Sequence, residues 1–211
     1  KDPELNLYSA PYAGYTMVFL NLKRTIFQDA AVRRALWQAI DRQGLIDRFL
    51  SGQGIVINGP ILPNSWAYDP ELPPVSYDPQ AAAAALDAAG WRDEAGEGVR
   101  SKDGTRLEFT LLTNSDDPVR QQMVEEIARQ WGEIGVAVTP AGVEMTELVS
   151  ERLYGRDYDA VLYGWDLPAA DPDPYPLWHS SQAGEDGQNY VSYVDSISDG
   201  WLEEARRTSD Y

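Results

Sequence analysis

The chain has 211 residues, is 43% hydrophobic and carries 17 basic against 34 acidic side chains, a formal net charge of −17. That balance argues against nucleic acid and anionic membrane surfaces as partners, and the lack of cysteine rules out disulfides, thiol catalysis and thiolate metal sites. No apolar run approaches the roughly 20 residues that span a bilayer, and neither an initiator Met nor a signal peptide is visible. Polar, loop-like sequence at Lys1 and a helical pattern running to Tyr211 with no cap read as the cut ends of a piece of a longer protein.

The first predicted element is a buried strand over 15–22 (YTMVFLNL). Two helices follow. Asp29 caps the first, whose Val32, Leu36 and Ile40 recur at helical spacing. Asp41 caps the second, with Leu45, Ile46, Phe49 and Leu50 as its apolar face and Ser51-Gly52 as its end. A Pro- and Gly-rich connector covers 58–77. Asp78-Pro79 then opens an alanine-rich helix that stops at Gly90, and a polar turn spans 92–104.

The most regular unit comes next. Strand LEFTLLT (107–113) leads into a helix capped by Asp117-Pro118 and running to about Trp131, and Gly132 and Gly135 turn the chain into strand VAVT (136–139). A strand, helix and strand of this length make a right-handed βαβ crossover with parallel strands. A short helix is expected over 146–154, a strand YDAVLY over 158–163, and a last helix over 198–208. The pattern is that of an α/β fold.

Between the last strand and the last helix lies YGWDLPAADPDPYPLWHSS (163–181), rich in aromatics, acids and prolines. Four prolines (Pro168, Pro172, Pro174, Pro176) forbid a helix in it. In open α/β sheets, ligands bind beyond the carboxyl ends of the strands, so topology and composition indicate the same place. Gly164, Trp165 and Asp166 are the expected ligand-facing lip, with Tyr163 before them as a further ligand contact: Gly for close backbone approach, the indole for stacking. Asp166 and Asp171 are the acids nearest the ring, able to bind an ammonium group or sugar hydroxyls, and Asp173 inside DPDP reads as a turn residue.

Other chemistry finds little support. His179 is the sole histidine, so a transition-metal site would need oxygen ligands almost alone. Asp171, Asp173, Glu185 and Asp186 lack calcium-loop spacing. Neither a phosphate loop nor a G-x-S-x-G elbow is present. No cofactor is expected. Three readings remain: a binding protein, an acid-pair glycoside hydrolase using Asp166 and Asp171, and an interaction domain in which the loop docks a protein.

Several blocks taken together carry a resemblance: FLNLKRTIFQDAAVRRALWQAIDRQGLID, GPILPNSWAYDP, YDPQAAAAALDAAGW, LEFTLLTN, and YDAVLYGWDLPAADPDPYPLWHSSQ with NYVSYVDS and WLEEARRTSD after it. In this order they resemble the extracytoplasmic solute-binding proteins of oligopeptide and dipeptide ABC importers. The resemblance implies a periplasmic-binding-protein-like lobe with a mixed, partly parallel sheet flanked by helices. Residues 1–211 would be the second, C-terminal ligand-binding lobe of a two-lobed protein. It further implies a monomer in the periplasm or on the cell surface as a lipoprotein, capture of a peptide-like ligand, delivery to membrane permease subunits, and no catalysis. Such proteins lay the Gly-Trp segment along the ligand and hold the peptide amino group with an Asp three residues after the Trp. Pro168 stands there instead. Asp166 or Asp171 would then take over the ammonium, or the ligand would be a sugar, an opine or a nickel complex. By the same comparison Leu167, Met145 and Arg152 reach the ligand, and Asn189 and Tyr190 anchor the loop.

Overall fold

The structure is a computed structural model that describes residues 14–166, Asp166 through its backbone, and residues 173–208. Four strands form one sheet: β1 (Gly14–Leu20), β4 (Glu108–Asn114), β5 (Ala137–Val143) and β6 (Ala160–Asp166), in the order β1-β6-β4-β5. β1 runs antiparallel to β6, with Gly14 opposite Asp166 and Leu20 opposite Ala160. β4 is parallel to both β5 and β6, as a βαβ crossover requires. The sheet is therefore mixed and partly parallel, with helices on both faces.

The local reasons for the helices are visible at their starts. Helix α1 (Thr25–Gln28) is a single turn. Asp29 then caps α2 (Ala30–Gln38) by accepting from the Ala31 amide at 2.9 Å. Asp41 caps α3 (Arg42–Phe49) through the Gly44 amide. Asp78 and Asp117 do the same for α4 (Pro79–Ala88) and α5 (Pro118–Glu133), each with Pro in the first turn.

α2, α4 and α5 cover one face of the sheet, where Phe27, Leu36, Leu86, Leu111 and Trp131 are almost wholly buried. Trp131 donates its indole N–H to the Leu36 carbonyl at 2.9 Å, so its polar atom is satisfied there. The other face packs Phe19, Leu112 and Val161 against Leu148, Leu153, Tyr158 and Tyr190. Alternation along β6 sends Leu162 to the first face and Val161, Tyr163 and Trp165 to the second.

Five expectations need correction. No residue of α3 is fully buried, and Leu50 is exposed, so its apolar face is only half used. The polar turn at 92–104 contains a hairpin, β2 (Ser101–Lys102) with β3 (Thr105–Arg106), because Asp103 and Gly104 both take positive φ, as a tight two-residue turn demands. β5 extends to Val143 straight through Pro140, which is tolerated because β5 is an edge strand. The expected helix at 146–154 is a short α6 (Met145–Glu147) continued by a π-helical turn, Leu148–Leu153, in which the Tyr154 amide bonds the Val149 carbonyl. Finally, the proline-rich segment holds one turn of helix, α7 (Tyr175–Trp178), because Pro174 and Pro176 sit at its start, where no intrahelical donor is needed. A 3₁₀ turn (Ser180–Gln182) and α8 (Ser196–Arg207) follow.

Candidate ligand-binding site

β4 ends at Asn114, β5 at Val143 and β6 at Asp166, and β1 begins at Gly14, so one edge of the sheet gathers three carboxyl ends and one amino end. This is the edge where an open α/β sheet presents its ligand site. Gly164 and Trp165 lie within β6, which runs three residues beyond the expected strand end at Tyr163, and they pair with Thr16 and Tyr15. The lip is thus held by a full ladder.

Directly paired residues of antiparallel strands share a face, so Tyr15 stands beside Trp165 and Met17 beside Tyr163. Trp165 is half-buried, its ring 5.9 Å from that of Tyr190 and steeply inclined at 64°. Tyr190 in turn meets Phe19 and Tyr154 edge-on. The indole is braced from beneath. The Tyr15 hydroxyl is buried without a hydrogen-bond partner among the described residues, and burial pushes its pKa up to about 12. It is a neutral donor next to the indole.

On the opposite face Gly164 matters for a different reason. A Cβ there would collide with the guanidinium of Arg120. Arg120 donates to the Asn114 side-chain carbonyl at 3.0 Å, pairs with Asp117 at 3.5 Å, and stands 5.3 Å from the centre of the Tyr163 ring. Asn114 is buried, and its amide donates to Asp116 at 2.6 Å. Sequence reasoning missed Tyr15, Asn114 and Arg120. The signal for the last two was the run N-S-D-D-P-V-R, which joins a strand end to the first helical turn of a βαβ unit.

Met145, partly buried, opens α6 right after β5, so it does reach this edge, while Glu144 caps the turn through the Thr146 and Glu147 amides. Arg152 does not come to the same place: its guanidinium is clamped by Glu147 at 2.7 Å and by Asp157 at 2.8 Å, and Asp157 precedes the amino end of β6. Leu167, Pro168 and Asp171 lie outside the described residues. Asp173 is a turn former, accepting from the Tyr175 amide and pairing with Arg206 at 2.6 Å. His179 caps the 3₁₀ turn by accepting the Ser181 amide on Nδ1. Asn189 ties this region together through the His179 and Tyr193 carbonyls.

A cleft of about 230 Å³ opens beside Ser115, Gln121 and Gly142, next to the carboxyl ends of β4 and β5. A larger one, about 560 Å³, lies at the opposite edge around Arg92, Arg100 and Gly135, and is lined mainly by charged side chains and glycines. Among the described residues no group of three or more His, Cys, Asp or Glu side chains is placed to hold a metal ion. No helix there is long and apolar enough to cross a membrane.

The family model for bacterial extracellular solute-binding proteins, family 5 (middle region), matches residues 1–187. The chain belongs to this family. Within family 5 it is 36% identical over 200 residues to the oligopeptide-binding protein AppA of Bacillus subtilis, covering 93% of this chain and 36% of that protein. It is 30% identical to di/tripeptide-binding protein 1 of Pseudomonas aeruginosa over the whole of this chain and 37% of the relative. The solved structure of AppA in complex with a nonapeptide superposes with a TM-score of 0.89 at 35% identity, covering 94% of this chain and 40% of that one. NikZ from Campylobacter jejuni in complex with Ni(L-His) gives a TM-score of 0.86 at 30% identity, with the same coverage. This family-5 chain therefore spans less than two-fifths of the curated relatives it matches.

Proposed function

We propose that this chain is the ligand-binding lobe of a longer family-5 solute-binding protein that captures a peptide outside the cytoplasm and hands it to the permease subunits of an ABC importer, without chemistry. The observation that carries the reading is the built edge at the carboxyl ends of β4, β5 and β6. There a braced indole stands beside a half-buried Tyr163 on one face of β6, and on the other face the Arg120 guanidinium sits against Gly164, which has no Cβ to exclude it. The ligand-contacting set we propose is Tyr163, Gly164, Trp165, Asp166, Leu167, Asp171 and Met145. Arg152 belongs to it only if ligand competes with Glu147 and Asp157 for its guanidinium.

Peptide is favoured over the other ligand classes by the relatives: AppA is an oligopeptide-binding protein and its solved complex holds a nonapeptide. A nickel complex is the second reading, supported by NikZ, whose solved complex holds Ni(L-His). In either case a two-lobed protein closes because ligand contacts both lobes, so closure is biased by whatever binds the closed form better. Thermal melting tests this. Pooled short peptides raise the midpoint of the full-length protein, while the isolated lobe, which makes only part of the contacts, shows no shift. A shift of the isolated lobe equal to that of the full-length protein rejects the two-lobed account. A shift with nickel and histidine but none with peptides selects the second reading.

A further inference from the structure

We propose that Asn58 is a self-modification site: its side chain loses ammonia to attack by the Gly59 amide nitrogen, and the carboxylate left behind becomes the counter-ion of Arg42. The proposal does not depend on the capture reading.

Asparagine stands at positions 6, 21, 58, 64, 114 and 189, and only Asn58 is followed by glycine. The attack folds the chain back so that the next residue's nitrogen meets Cγ, and a next residue without a side chain hinders it least. Asn58 and Gly59 lie in the connector between α3 and α4, outside any helix or strand and partly open to water. Neither the Gly59 amide nor the Asn58 side-chain NH2 donates a hydrogen bond to any described residue. Nucleophile and leaving group are both unheld.

The oxygen between them is held firmly. Arg42, the first residue of α3, donates from both terminal nitrogens to Asn58 Oδ1 at 3.2 Å each. The same nitrogens reach the Ile57 carbonyl at 2.8 Å and the Val75 carbonyl. The guanidinium thus meets three neutral oxygens, and no acid is among its partners in the described residues. Burial pulls its pKa below the ordinary value, as expected of a cation with no charge to offset it.

This arrangement favours both the reaction and its product. Two donors on Oδ1 stabilise the negative charge that develops there as the Gly59 nitrogen adds to Cγ. The N–Cγ bond forms, the Cγ–Nδ2 bond breaks, and the Gly59 amide proton leaves with the ammonia. Water then opens the resulting cyclic imide at either carbonyl, giving a normally linked or a β-linked aspartate. The net reaction consumes one water and releases one ammonia. In the normally linked product the carboxylate replaces the amide that the fork already faces, and a carboxylate accepts such a fork as a bidentate ion pair. A neutral clamp on the connector becomes a charged one.

The experiment keeps the full-length protein in warm, mildly alkaline buffer, digests samples at acid pH and follows by mass spectrometry the gain in mass as NH2 becomes OH. The gain is expected on the Asn58 peptide well ahead of the Asn64 peptide from the same connector, and no excess over Asn64 overturns the site. Arg42→Gln is expected to slow the gain roughly ten-fold; an unchanged or faster rate overturns the part given to Arg42. If Arg42→Gln does not fold, wild type unfolded in urea replaces it as the state without the clamp, and a rate there equal to or above the folded rate overturns the same point. Asn58→Asp, which installs the product, is expected to raise the melting midpoint by about 1–2 °C, and to bring no rise in Arg42→Gln. A midpoint unchanged or lowered by Asn58→Asp overturns the counter-ion.

Discussion

The two ends of β6 are built on opposite plans. At the amino end polar groups are paired with each other: Arg24 with Asp157 and Asp159, Arg152 with Glu147 and Asp157, and the buried Asn21 amide with the Arg156 and Tyr158 carbonyls. At the carboxyl end the groups are aromatic or only partly engaged: an indole braced on one side, a tyrosine hydroxyl with no partner among the described residues, and an arginine held by Asn114 and Asp117. One strand thus joins an end that fastens the fold to an end that has interactions left to make. The difference separates stability from recognition along about 20 Å of backbone, given a rise of roughly 3.3 Å per residue.

Breaking the fastened end should have the largest effect. Asn21→Ala removes donors to two carbonyls, at 3.0 and 2.8 Å, and the acceptor of the Lys23 amide at 3.1 Å. Leaving those groups unmet costs about 2–4 kcal/mol, read by urea unfolding of this chain, with ligand affinity of the full-length protein unchanged. Trp165→Ala reverses the pattern: roughly ten- to hundred-fold weaker peptide binding, with a smaller loss of stability because the ring is only half-buried. If Trp165→Ala leaves affinity intact while Asn21→Ala removes it, the division between the ends is wrong.

Two smaller effects sharpen it. Arg152→Gln breaks two ion pairs at the amino end, and partly exposed pairs of this kind contribute roughly 0.5 kcal/mol. Isothermal titration should find peptide affinity unaltered, and a ten-fold loss would return Arg152 to the ligand set. Glu126, on α5 and away from both ends, has its pKa lowered from 4.5 to about 2, chiefly by hydrogen bonds from Arg129 and further by Gln130 and the Arg48 charge. A depressed folded-state value means its contribution is complete above the ordinary carboxylate range and is lost as pH falls from 4.5 toward 2. Glu126→Gln should therefore flatten the acid-unfolding curve in that window and leave the neutral-pH difference between the two ends untouched. An acid curve that still falls as in wild type would assign the effect to other carboxylates.

Much of the fold was legible because its signals are local. Asp29, Asp41, Asp78 and Asp117 each mark a helix start, and each accepts from an amide in the first turn. The β4-α5-β5 crossover follows from spacing alone. What sequence did not show is long-range. β5 continues past Pro140 because it is an edge strand, a property of sheet order and not of residues 136–143. The pairing of Gly164 and Trp165 with Thr16 and Tyr15 joins positions far apart in the chain, so the strand looked shorter than it is. Arg120 escaped notice for the same reason: its meaning lies in Gly164, and the two meet only once β4 and β6 are neighbours. The π-helical turn at Leu148–Leu153 carries the same apolar spacing as an ordinary helix, which left nothing to distinguish it.

Pro140, midway along β5, has a consequence beyond permitting that strand. An edge strand offers a row of backbone donors and acceptors on which another extended chain can zip, and an extended peptide is such a chain. A proline interrupts the row at its centre, since it has no N–H to give. Peptides that pass this molecule find the flank of its sheet a poor template, and strand-by-strand growth between neighbouring copies is checked at the same point.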